Sequence, residues 1–219
     1  MIKPRLTSTG FPDAPPRPYK PHHSQGRRPF DGQTTVTQGA LFVNGSLGGS
    51  VEVKAGGTIG GTGSLICLLH AGDAGSQVAP GDGGVGTLSV GKLELGDQTT
   101  LSFDLGSPTS SDEILIAGDL VLDGQLFIEA GDNFGPGKYP LMHFDGAVTD
   151  NGLKIASAPE GLVFNISIEP DEIILRGIKN ALTPASTGGT VFLVVVPEPA
   201  TMALAGAAAM GLVLRRKRR

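Results

Sequence analysis

The sequence predicts an all-β fold, and three features between residues 34 and 180 carry that prediction. Apolar and polar residues alternate in short runs such as SVEVKAGG, GTLSVG, KLELGD, TTLSFDLG and DEILIAGD, the period-two signature of strands with one buried face. The runs recur at intervals of roughly eight to twelve residues and break at Gly, Asn or Asp, the residues that accept a positive φ. The composition agrees: 34 glycines, 16 prolines and no tryptophan in 219 residues describe many short strands and turns rather than an aromatic-centred core.

The elements follow in chain order. Residues 1–33 hold seven of the prolines and almost no apolar periodicity, so a disordered, basic, partly polyproline-like segment is expected there. It contains no apolar stretch of the length a secretory signal requires. An export signal upstream, or a longer gene product, is therefore expected. Residues 34–180 form the strand array. In it Leu88 with Val90, Leu93 with Leu95, and Leu101 with Phe103 and Leu105 each share a face.

Such alternation fits a sandwich, a barrel or a stacked solenoid. Two properties favour the solenoid: the inward residues are small to medium, and neighbouring segments are imperfect copies of one another. At roughly twenty residues per coil the array makes about seven turns. LVFNISIEPDEIILRGI reads as a hairpin-like cap with strands at 162–168 and 172–178, and residues 181–195 as a linker.

The chain closes with VPEPATMALAGAAAMGLVLRRKRR. Residues 200–214 carry no charge, and a helix is the economical way to satisfy their backbone in lipid. At 1.5 Å per residue they reach roughly 22 Å, short of the roughly 30 Å hydrocarbon core, so the transmembrane helix is a weak anchor. Arg215, Arg216, Lys217, Arg218 and Arg219 stay cytoplasmic by the positive-inside bias, which places the body outside, N-out and C-in. Pro197 and Pro199 keep Val196, Pro197, Glu198 and Pro199 extended and accessible.

This order of Pro-Glu-Pro, apolar helix and basic cluster resembles the PEP-CTERM sorting signal of Gram-negative bacteria. The resemblance implies recognition by exosortase, cleavage near Val196–Pro199, and delivery to the cell surface or extracellular matrix. The body has a resemblance of its own. AGGTIGGTGSL, APGDGGVGTLSVGKLELGDQTTLSFDL, DEILIAGDLVLDGQLFIE and FGPGKYPLMHFDG are similar to autotransporter-associated β-strand repeats. That likeness implies a right-handed parallel β-helix, with the PEP-type tail standing where those proteins carry an outer-membrane barrel.

Charge narrows the function. Residues 29–199 hold 6 basic and 20 acidic side chains, a balance of 6 − 20 = −14. A body so acidic repels nucleic acid. The single cysteine, Cys67, excludes an internal disulfide; strand alternation in SLICLLH puts it inward with Leu65 and Leu69, a buried thiol facing away from His70. The carboxylates are scattered, and adjacent pairs such as Asp112 and Glu113 point to opposite faces. GDGGVG and GDNFGPG read as turns rather than calcium repeats.

No catalytic residue, cofactor or metal site is expected. The sequence points to a non-enzymatic surface or matrix protein processed by exosortase, with the membrane and exopolysaccharide as further partners. The alternative is a polysaccharide-binding adhesin or a polysaccharide-active β-helix enzyme.

Overall fold

The computed structural model describes residues 32–170 and 188–198, and every regular element in them is a strand. The expected segment 1–33 lies outside these residues except for Gly32 and Gln33, as does the expected helix 200–214. The chain passes alternately through two sheets. The first pass is β1 (Thr34–Val36), β2 (Gly39–Phe42) and β3 (Ser46–Leu47). The second is β4 (Val51–Val53), β5 (Gly57–Gly61) and β6 (Ser64–Ala71). Then come β7 (Gln77–Pro80) and β8 (Thr87–Leu95), followed by β9 (Thr100–Ser107) with its short appendage β10 (Ser110–Ser111). Two further passes are β11 (Glu113–Ile116), β12 (Leu120–Leu122) and β13 (Gln125–Ala130), then β14 (Gly137–Phe144), β15 (Val148–Asp150) and β16 (Lys154–Ser157). The last strands are β17 (Leu162–Pro170) and β18 (Gly189–Pro197).

The smaller sheet runs β16-β13-β9-β7-β5-β2 with every neighbour on that path parallel. The larger runs β1-β4-β6-β8-β11-β14, also parallel, before β18 and β17 close it in antiparallel fashion. Parallel neighbours require a crossover, and here the crossover is the strand in the opposite sheet. Along one ladder Thr34 lies beside Val51, Val51 beside Leu69, Leu69 beside Leu93, Leu93 beside Leu120 and Leu120 beside Val148. The spacing grows from 17 residues (34 to 51) to 28 (120 to 148), so a fixed repeat of about twenty holds only for the first passes.

The core lies between the sheets as stacks of like side chains. In the smaller sheet Leu41, Ile59, Val78, Leu101, Leu126 and Ile155 follow one another rung by rung. The four inner members are fully buried and the two ends only half-buried, because among the described residues each end has a strand neighbour on one side only. Aromatics gather near the antiparallel end: Phe134 packs on Tyr139 and Phe164, and the buried Tyr139 hydroxyl donates to the Gly135 carbonyl at 2.8 Å.

Corners are built by glycine. Strands β6 and β8 each turn a corner mid-strand, β6 at Ile66–Cys67 and β8 at Gly91–Lys92, where register shifts between Leu65 and Leu68. A Cβ on Gly91 would land on the carbonyl oxygens of Ile66 and Cys67, and one on Gly118 would lie 2.8 Å from the Gly91 carbonyl oxygen. Only glycine lets successive passes approach so closely.

Two expectations are corrected here. Cys67 is exposed, its sulfur 3.0 Å from the Gly48 carbonyl oxygen, because the corner interrupts alternation and turns both Ile66 and Cys67 outward between the buried Leu65 and Leu69. Residues 189–195 of the expected linker form most of β18, between β14 and β17, with Val191, Leu193 and Val195 buried. The run VFLVVV is β-branched and apolar, and burying it in a sheet outweighs the glycines before it. The expected cap strand 162–168 is present in β17, whose described partner is β18; residues 172–178 lie outside the described set.

Candidate functional site

The expected sorting residues begin inside the sheet. In β18 Val196 pairs with Val163 and Pro197 with Leu162, while β14 pairs with β18 only as far as Val195. Pro197 therefore ends the strand, where its missing N–H costs no ladder bond on the β14 side. Val196 is 40% exposed, so the chain emerges at that point, and Glu198 follows outside any strand. Pro199 and Arg215, Arg216, Lys217, Arg218 and Arg219 lie outside the described residues. Among the described residues no helix is long and apolar enough to cross a membrane.

The acids are less scattered than their sequence positions suggest. Asp104 of β9 and Glu129 of β13 are register partners on the outer face of the smaller sheet. Asp112 sits beside them, 1% exposed, with Oδ1 accepting from the Gly86 amide at 2.7 Å and Oδ2 from the Asp104 amide at 2.8 Å. Burial pushes its carboxyl up to about 6, although the two amide donors pull in the other direction. Asp112 thereby ties the 81–86 loop to β9. That loop turns at Gly81 and Gly83, both with positive φ, and the Asn44 side-chain amide donates to Asp82 at 2.7 Å.

On the larger sheet's outer face Glu113 lies near His143. Burial raises the Glu113 carboxyl and the His143 charge opposes that rise. His143 itself faces Thr190 at 3.1 Å and Asp145 at 3.4 Å. Lys92 donates to Asp119 at 2.7 Å and holds that carboxyl below the usual range, helped by the Ala147 amide. Among the described residues no group of three or more His, Cys, Asp or Glu side chains is placed to hold a metal ion. Sequence reading missed the Asp104–Asp112–Glu129 grouping because its members meet across passes 25 residues apart (104 to 129), a spacing unlike that of the earlier passes.

Residues 195–219 match the PEP-CTERM protein-sorting motif. The motif implies exosortase as processing partner and an exported, cell-surface destination. The chain is also similar to the adhesin BmaC autotransporter of Brucella suis biovar 1 (strain 1330), at 41% identity over 92 residues. That stretch is 38% of this chain and 3% of the adhesin. The chain therefore joins an autotransporter-like β body to a sorting signal, and the signal starts at Val195, a residue buried in the body's own sheet.

Proposed function

We propose that this chain is a non-enzymatic structural protein of the cell surface or extracellular matrix, its body a right-handed parallel β-solenoid delivered by exosortase. In the precursor, residues 200–214 cross the membrane as a helix with the body outside and Arg215–Arg219 in the cytoplasm. Cleavage near Pro197-Glu198-Pro199 then releases the body, and exopolysaccharide is its partner there.

The observation that carries this reading is the junction: a sorting motif beginning at residue 195 continues directly from the last strand of a stacked parallel array. A body whose last strand is already part of the signal leaves little spacer between sheet and motif, so the folded body sits close to the membrane surface while the tail is inserted. The adhesin likeness supports surface display, and the parallel stack supports the solenoid because each pass needs only its neighbours to bury its apolar face. A structural role is further supported at Asp112, whose two oxygens are both occupied by backbone amides and so hold a loop rather than serve as a free acid or base.

The test is fractionation of the full chain, with an export signal supplied, in paired hosts with and without exosortase. The body is expected in the surface or released fraction of the first host and in the cytoplasmic membrane of the second. The same fraction in both hosts would overturn the reading.

A further inference from the structure

A trough of about 200 Å³ opens on the outer face of the smaller sheet, between β2 and β13 and beside the 81–84 loop. We propose that this trough binds an uncharged glycan segment, one pyranose unit of which stacks on Phe42 while hydroxyls further along the segment meet Asp104 and Glu129. The inference rests on the surface-protein reading only in that the reading puts glycan within reach.

Four features converge on it. Phe42 is a large aromatic left 44% exposed, in a chain with only 9 phenylalanines and 2 tyrosines. Its ring is seated by its register partner Gly60, where any Cβ would lie 3.1 Å from two of the ring carbons. An exposed aromatic ring offers an apolar face of the kind that meets the C–H face of a sugar. The floor beyond it is small and partly polar, formed by Ala79, the register partner of Gly60, and by Ser102.

At the far side the Asp104–Glu129 pair supplies carboxylate oxygens, acceptors that make the stronger hydrogen bonds to hydroxyl donors. The wall opposite is fixed in place, since Asp112 clamps the loop to β9 and Asn44 holds Asp82. Such preorganisation lowers the cost of binding. The volume falls below the roughly 300–1,000 Å³ of sites for drug-sized ligands, which suits a short stretch of a longer chain rather than a whole ligand. The carboxylates also fix the charge of the guest, because a uronate or sulfated sugar brought against Asp104 and Glu129 is repelled.

Saturation-transfer NMR on the full-length protein, with cellohexaose, maltohexaose and laminarihexaose as neutral probes and hexagalacturonate as the anionic one, tests this. Transfer to at least one neutral hexasaccharide and none to hexagalacturonate is expected. Phe42→Ala and Glu129→Gln should each weaken the binding of that neutral probe by at least tenfold. Both side chains are on the outer face, so unchanged circular dichroism is expected to accompany the loss. Transfer to no neutral probe, neutral binding that survives either substitution, or equal transfer to hexagalacturonate would overturn the proposal. Fractionation in the paired hosts is scored separately, so loss of the glycan site is distinguishable from failure of the surface reading.

Discussion

Replacing Asp112 by asparagine should remove a fall in stability that the wild-type protein undergoes between pH 4 and pH 7. The carboxyl is fully buried, and burial raises its pKa from 3.8 to about 6. Between those values the folded chain keeps a proton that the unfolded chain has lost, so the folded state binds more protons and stability falls as pH rises. The contribution is whole below the unfolded value and gone once pH passes the folded one. A displacement of about two units at 1.36 kcal/mol per unit amounts to about 3 kcal/mol. Asparagine does not titrate, and it keeps one acceptor while its Nδ2 hydrogens face the second backbone amide, so it costs one buried hydrogen bond at every pH. Urea unfolding of wild type and Asp112→Asn from pH 4 to pH 8 isolates the effect, since the exposed carboxylates titrate alike in both. Relative to wild type the variant should therefore gain about 3 kcal/mol between pH 4 and pH 7, starting at pH 4 from a deficit set by the lost bond. A difference that stays constant across the range, or that moves against the variant as pH rises, would contradict this linkage.

Other outcomes follow from the stacking. Leu101→Ala, at a fully buried inner rung, should cost about 2–5 kcal/mol in the same denaturation assay, and Leu41→Ala, at the half-buried end of that ladder, less than half as much. Gly91→Ala should lower the melting temperature by several degrees, roughly the shift from a 1–2 kcal/mol loss, because its Cβ meets backbone carbonyls that have no flexible side chain to yield. Cys67 should react with maleimide in the native protein at the rate of a free thiol, whereas a buried cysteine would react only on unfolding.

Much of the body was legible in the sequence because alternation is a local property. Leu88 with Val90, Leu93 with Leu95, and Leu101 with Phe103 and Leu105 all face inward as the period-two pattern requires. The pattern fails at Cys67 because it assumes a straight strand, and a corner between Leu65 and Leu69 rotates the intervening residues outward. It fails again after residue 181, where glycine and threonine suggest a spacer while VFLVVV supplies a buried strand. Two opposed local signals are settled there by the apolar surface the sheet can cover.

The candidate trough was harder to see. Asp104 and Glu129 are brought together by register between passes of unequal length, and Phe42 lines the same trough from another strand, which no fixed repeat in the sequence reveals. The sorting residues were legible for the opposite reason. Their order along the chain is itself the signal, and its match at 195–219 needs no tertiary contact.

The most direct test of the account is the intact mass of the Glu198→Ala protein in an exosortase-bearing host, with an export signal supplied. Insertion depends on the apolar run and the terminal cations, so it should proceed normally. Processing alone should fail, leaving a full-length membrane species. Since 219 residues weigh 22.4 kDa, loss of roughly 20 residues makes the mature wild type about 2 kDa lighter than the variant. That difference is the predicted result. Identical masses for wild type and Glu198→Ala, recovered from the same membrane fraction, would contradict sorting through this motif and leave the tail as a simple anchor.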